Sequence, residues 1–153
     1  MIVLKKLITI LSFILLYQCG YSAIYKDDKN TEFKIIVLKI EGNKDINNKI
    51  NFKLKKYFNN ETDKEFKITM NTKLNKNVIS KNLKGDATNY ELTAVSIFNV
   101  NYKDKTQIIS LKENIKIKNI DDSFEQRKYE NEVMENFASS IYDRLIMKLE
   151  LIE

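Results

Sequence analysis

The chain opens with a short apolar block and then shifts between two hydrophobic periods. Lys5 and Lys6 precede Leu7–Leu16 (LITILSFILL), a ten-residue run that is largely apolar. A span across a bilayer needs about 20 apolar residues. A positive segment ahead of a short apolar one is instead the layout of a secretion signal. Gly20–Thr31 is short and polar, and reads as a tether. Phe33–Ile40 (FKIIVLKI) is apolar on both faces and predicts a strand with neighbours. Gly42-Asn43 ends it with turn chemistry. Asn43 or Asp45 then caps a helix whose stripe is Ile46, Ile50, Leu54, Tyr57 and Phe58, and Asn59-Asn60 stops it.

From Glu65 the period becomes two. Phe66, Ile68, Met70 and Leu74 alternate with Lys67, Thr69, Asn71 and Lys73, the pattern of a half-buried strand. The polar stretch Asn75–Thr88, with Gly85-Asp86, reads as a loop or a ragged hairpin end. Tyr90, Leu92, Ala94, Phe98, Val100 and Tyr102 share the next strand's core face. Lys103-Asp104-Lys105 is a tight turn. Ile109, Leu111, Ile115 and Ile117 face the core from the strand that returns. Ser123 with Gln126 suggests a capping box at the start of a last helix. Its stripe is Val133, Phe137, Ile141, Leu145 and Leu149, with Ala138 beside it. Phe124–Glu150 would be about 40 Å long at ~1.5 Å per residue, enough to overhang a small sheet.

The order is β-α-β-β-β-α. Each helix has one apolar stripe, so both should cover the same sheet face. A right-handed crossover makes the first two strands parallel, and the meander makes the rest antiparallel. The expected class is α+β: a two-layer sandwich with two helices on one face of a four-stranded mixed sheet. The expected organisation is a leader over residues 1–18, an N-terminal tether over 19–31, and a single domain over 32–153.

Composition narrows the chemistry. The chain has no His, one Cys (Cys19) and three scattered glycines. A histidine base, an imidazole or thiolate metal site, an internal disulfide and a glycine-rich phosphate loop are therefore all excluded. No enzyme activity, metal or cofactor is expected. Of 26 Lys and Arg, two leave with the leader, and 24 then face 21 Asp and Glu, a net charge of about +3. These charges alternate in sign along the chain, as in Lys26-Asp27-Asp28-Lys29. Nucleic-acid binding usually needs a concentrated basic stripe, so none is expected.

Cys19, closing the apolar run with Leu16 three before it, resembles the acylation site of bacterial lipoproteins. Gln18 departs from that pattern, which has a small residue just before the cysteine. Cys19-Gly20-Tyr21-Ser22-Ala23-Ile24-Tyr25 is similar to the start of many members of the LPS-assembly lipoprotein (LptE) family. So are the element order and the closing helix around Asn136-Phe137-Ala138-Ser139-Ser140-Ile141-Tyr142-Asp143-Arg144-Leu145. The resemblance implies an outer-membrane lipoprotein held by acylated Cys19, with its domain facing the periplasm or the lumen of a barrel. It would plug and help assemble a β-barrel translocon subunit (LptD-like) and contact lipopolysaccharide. Lys81 and Lys84, and more weakly Arg127 and Lys128, are the candidates to meet lipid phosphates. Tyr21, Ile24 and Tyr25 would touch the partner or the bilayer interface. Two alternatives stand beside this one: a free-standing envelope lipoprotein carrying an apolar ligand between helices and sheet, and an auxiliary lipoprotein of an ABC-type lipid transporter.

Overall fold

The computed structural model describes residues 33–153. These begin with β1 (Lys34–Gly42), α1 (Lys44–Leu54) and a 3-10 turn (Lys55–Tyr57). β2 (Glu65–Lys81), β3 (Ala87–Tyr102), β4 (Lys105–Lys118) and α2 (Ser123–Glu150) follow. The expected β-α-β-β-β-α order is present. The sheet order is β1-β2-β3-β4, the same as the chain order. β1 lies parallel to β2, and β2, β3 and β4 are antiparallel in turn.

The strands form where apolar side chains recur every second residue. Phe66, Ile68 and Met70 of β2, Leu92, Ala94, Phe98 and Val100 of β3, and Ile109, Leu111 and Ile117 of β4 are all buried on one face. Both helices close that face. α1 contributes Ile46, Ile50 and Leu54, and α2 contributes Val133, Phe137, Ile141, Leu145 and Leu149, all in a single core. One row of this face is polar: Thr72 and Ser96, fully buried, hydrogen-bond to each other at 2.7 Å. The mutual bond removes the cost of burying two hydroxyls. The other face carries Lys67, Thr69, Asn71, Asn99 and Asn101, and among the described residues no helix covers it.

The turn from β1 into α1 depends on a close approach. Gly42 has φ +89°, and a Cβ there would stand 2.0 Å from the Thr72 carbonyl oxygen. The Asn43 amide donates to that same oxygen at 2.7 Å. The Asn43 side chain then caps the helix by accepting from the Ile46 N–H at 3.0 Å, so Asn43 rather than Asp45 is the cap. Asn47, buried, ties the first turn back by donating to the Glu41 carbonyl.

Three sequence expectations change. Asn75–Thr88 is mostly strand: β2 continues to Lys81, β3 begins at Ala87, and only Asn82–Asp86 remains as the tip. Lys81 is thus a strand residue paired with Ala87. The cap of α2 is Asp122, whose carboxylate accepts from the N–H groups of Phe124 and Glu125, with Ser123 one residue inside the helix. Gln126 does reach back, but to the Ile120 N–H. The 28 residues of α2 span about 42 Å, against about 55 Å for the 17 residues of β2. Finally, Phe98 is core as expected, but Tyr90 and Tyr102 are only half-buried and Ile115, on edge strand β4, is 39% exposed.

Candidate functional site

The two ends of the sheet differ in chemistry. At one end the described chain enters at Phe33, which stacks on Tyr57 (5.0 Å between centroids) and meets Phe66 edge-on at 5.4 Å; Phe66 in turn meets Tyr102 at 5.0 Å. This aromatic cluster also holds the end of α1. A two-residue turn, Lys103 and Asp104, closes β3 to β4 there with φ of 45° and 61°, the left-handed pair that fits strand twist. A hollow of about 460 Å³ beside it is lined by Val100, Tyr102, Gln107, Leu151 and Ile152.

The opposite end is made by the β2–β3 hairpin and the start of α2. Its tip is a tightly bonded turn. The Asn82 side-chain oxygen accepts from the N–H groups of Lys84 and Asp86, each at 2.9 Å, and the Asn82 side-chain nitrogen donates to the Asp86 carboxylate at 3.0 Å. Gly85, with φ +90°, completes the reversal. Leu83 projects from this frame at 109% relative exposure, flanked by exposed Lys81 and Lys84.

The start of α2 stands at the same end. Glu130 accepts from Lys76 of β2 at 2.6 Å and pins the helix to the hairpin. Burial opposes ionisation of Glu130, but hydrogen bonds from Lys76 and Gln126 outweigh it and hold the carboxyl below the usual carboxylate range. Arg127 and Lys128, one turn earlier, are exposed. They line a hollow of about 540 Å³ with Phe124, Lys49 and Glu135. Lys49 and Glu135 form an ion pair between the two helices across its floor.

Lys81, Lys84, Arg127 and Lys128 are therefore brought to one end of the sheet, although some 45 residues separate the pairs in sequence. Cys19, Tyr21, Ile24 and Tyr25 lie outside the described residues. What the sequence did not single out is the apolar company of these cations: Val78, Ile79, Leu83 and Phe124 are all exposed at the same end. The adjacency of Val78-Ile79 and Leu83 to the two lysines was the available signal. Lys84 follows exposed Leu83 in the tip, and Arg127 and Lys128 line the same hollow as exposed Phe124. The buried apolar side chains of both helices and the sheet form one core. Among the described residues, no three His, Cys, Asp or Glu side chains gather closely enough to hold a metal ion.

No protein-family profile and no curated protein matches the sequence. Solved structures do match its architecture. The crystal structure of rare lipoprotein B from Shewanella oneidensis superposes with a TM-score of 0.55 at 14% identity, covering 74% of this chain and 96% of that one. A minor lipoprotein from Acinetobacter baumannii gives a TM-score of 0.51 at 11% identity, covering 73% of this chain and 91% of that one. At such identities the likeness is one of fold: this chain is built on the same two-layer α+β plan as two bacterial lipoproteins.

Proposed function

We propose that this chain is an outer-membrane lipoprotein, acylated at Cys19, that plugs and helps assemble a β-barrel lipopolysaccharide translocon. In this reading it touches lipopolysaccharide through Lys81 and Lys84, with Arg127 and Lys128 beside them. The observation that carries the reading is the gathering of these four cations and exposed Leu83 at the end of the sheet opposite Phe33. The Cys19 start and the fold shared with two lipoproteins support the same reading. A plug acts through complementary surface, which agrees with a chain that has no histidine.

Three experiments test it. Cys19→Ser should leave an uncleaved precursor that no longer takes up radioactive palmitate; equal labelling of variant and parent would end the lipoprotein reading. A thioether-linked diacyl group on Cys19 would hold almost permanently, since each buried CH₂ adds roughly 0.8 kcal/mol. Depletion of the protein should leave the outer-membrane barrel under-assembled and lipopolysaccharide missing from the cell surface. Normal surface lipopolysaccharide and a normally folded barrel after full depletion would sink the idea. Within the site, Lys81→Ala or Lys84→Ala alone should be mild. Lys81→Glu combined with Lys84→Glu should lower surface lipopolysaccharide clearly, because like charge beside a phosphate repels in a partly dry contact.

A further inference from the structure

β1 is much shorter than the strand it pairs with. Its last partner pair is Gly42 with Thr72, after which the chain turns up into α1. β2 continues for nine more residues, Lys73–Lys81, with β3 on one side only. The missing length leaves a step in the sheet: a lane beside β2, in line with β1, that no described residue fills. The side chains along it are open, with Lys73, Asn75, Lys76, Asn77, Val78 and Ile79 all exposed. Irregular pairing at Ile79 and Ser80 closes the far end of the lane, so Lys73–Val78 is its regular part, about 20 Å long. The opposite edge of the sheet is treated differently. On β4 the Arg144 guanidinium of α2 donates to the Lys112 carbonyl at 3.1 Å and to Glu113 at 2.6 Å, tying the helix to that edge.

We propose that the open edge Lys73–Val78 binds an extended segment of a partner protein, which adds a strand to the sheet in the lane β1 leaves vacant, and that this segment alternates apolar and acidic residues. The backbone of the edge supplies the pairing and the side chains supply the choice. Leu74 and Val78 face the helix side of the lane, with Lys76 between them held over the Tyr90 ring at 4.1 Å by its contact there and its bond to Glu130. An incoming strand meets an apolar strip on that face. Lys73 lies on the other face with Asn75 and Asn77, and Lys81 and Lys84 stand just beyond the irregular pairing. Of the carboxylates nearby, Glu130 and Asp86 are engaged by Lys76 and Asn82, and Glu91, one strand in from the edge opposite Asn77, has Lys116 of β4 across from it. An acidic partner face therefore complements the edge. A second copy does not: its own Lys73–Val78 edge brings Lys73 and Lys76 and no carboxylate. The inference does not depend on the acylated-plug reading, since it uses neither Cys19 nor a lipid.

The test uses the full chain in detergent solution, labelled with nitrogen-15, and two ten-residue peptides, one alternating valine with glutamate and the other valine with lysine. The valine–glutamate peptide should bind and shift amide resonances concentrated at residues 73–78, and the lysine peptide should bind about tenfold more weakly or worse. Lys73→Glu combined with Lys81→Glu, both at exposed positions, should reverse that order. Failure of the glutamate peptide to bind, equal binding of both peptides, or shifts centred away from residues 73–78 would overturn the proposal. A photo-crosslinker at Asn75 supplies the remaining arm. Capture, without peptide, of residues 1–32 of the same chain or of a second copy would show that the lane already has an occupant, and would overturn it equally.

Discussion

Gly42→Ala should destabilise the domain by about 3 kcal/mol or more, whereas Gly85→Ala should cost about 1 kcal/mol. Both glycines have φ near +90°, so both substitutions carry the strain of a left-handed residue. They differ in what a methyl group meets. At Gly85 there is open space, and at Gly42 the Thr72 carbonyl oxygen lies 2.0 Å away and its carbon 2.9 Å. Backbone cannot swing aside as a side chain can. Moving it would break the β1–β2 pairing and the Asn43 N–H bond to the same oxygen, and with them the cap of α1. Urea unfolding of the two variants measures the difference directly. Equal losses would mean that the β1–α1 turn does not approach β2 as closely as described.

Phe137→Ala should cost about 3–5 kcal/mol, the range for truncating a buried aromatic side chain, and Glu135→Ala about 0.5 kcal/mol. Phe137 is 5% exposed and sits mid-stripe on α2, between both helices and the sheet. The Glu135 side chain is 49% exposed, and its partner Lys49 is also partly in water. Lys49 first, and Lys53 more weakly, hold the Glu135 carboxyl below the ordinary carboxylate range, with slight burial opposing them. An exposed pair of this kind is screened by solvent and contributes little. A small domain is typically stable by 5–15 kcal/mol, so Phe137→Ala should shift the urea midpoint far more than Glu135→Ala. Similar midpoints for the two would place the wrong face of α2 against the sheet.

Most of the architecture was legible because one face of every element is buried. The alternation of Phe66-Ile68-Met70 and the four-residue spacing of Val133-Phe137-Ile141-Leu145 each leave only one way to hide their apolar atoms. The region Asn75–Thr88 failed that reading for a physical reason. It is strand through pairing with β3, yet it lies past the end of β1 and α1, so no buried face selects apolar residues there. Asn and Lys have low strand propensity, and with no core to face they read as loop. The cap at Asp122 rather than Ser123 could not be chosen from residue type, since both side chains cap well. The candidate site was legible only in parts. Charge patterning gives no reason to prefer four cations among 26, and it is the return of β4 along β3 that sets Arg127 and Lys128 at the end occupied by Lys81 and Lys84.

Strand order that repeats chain order has a consequence for how the molecule comes into being. Each strand finds its neighbour next to it in sequence, so a chain appearing N-terminus first can zip its sheet progressively, with α1 arriving early over one half. The lid over the rest is α2, the last element. Until Leu149 has emerged, Leu92, Phe98, Ile109 and Leu111 form a finished but uncovered apolar surface beside the open edge of β2. Such a surface with an unpaired edge is the form in which nascent β-rich chains associate wrongly. The interval between the end of β4 and the end of α2, 32 residues of chain, is thus the period when this protein most needs protection from its own copies.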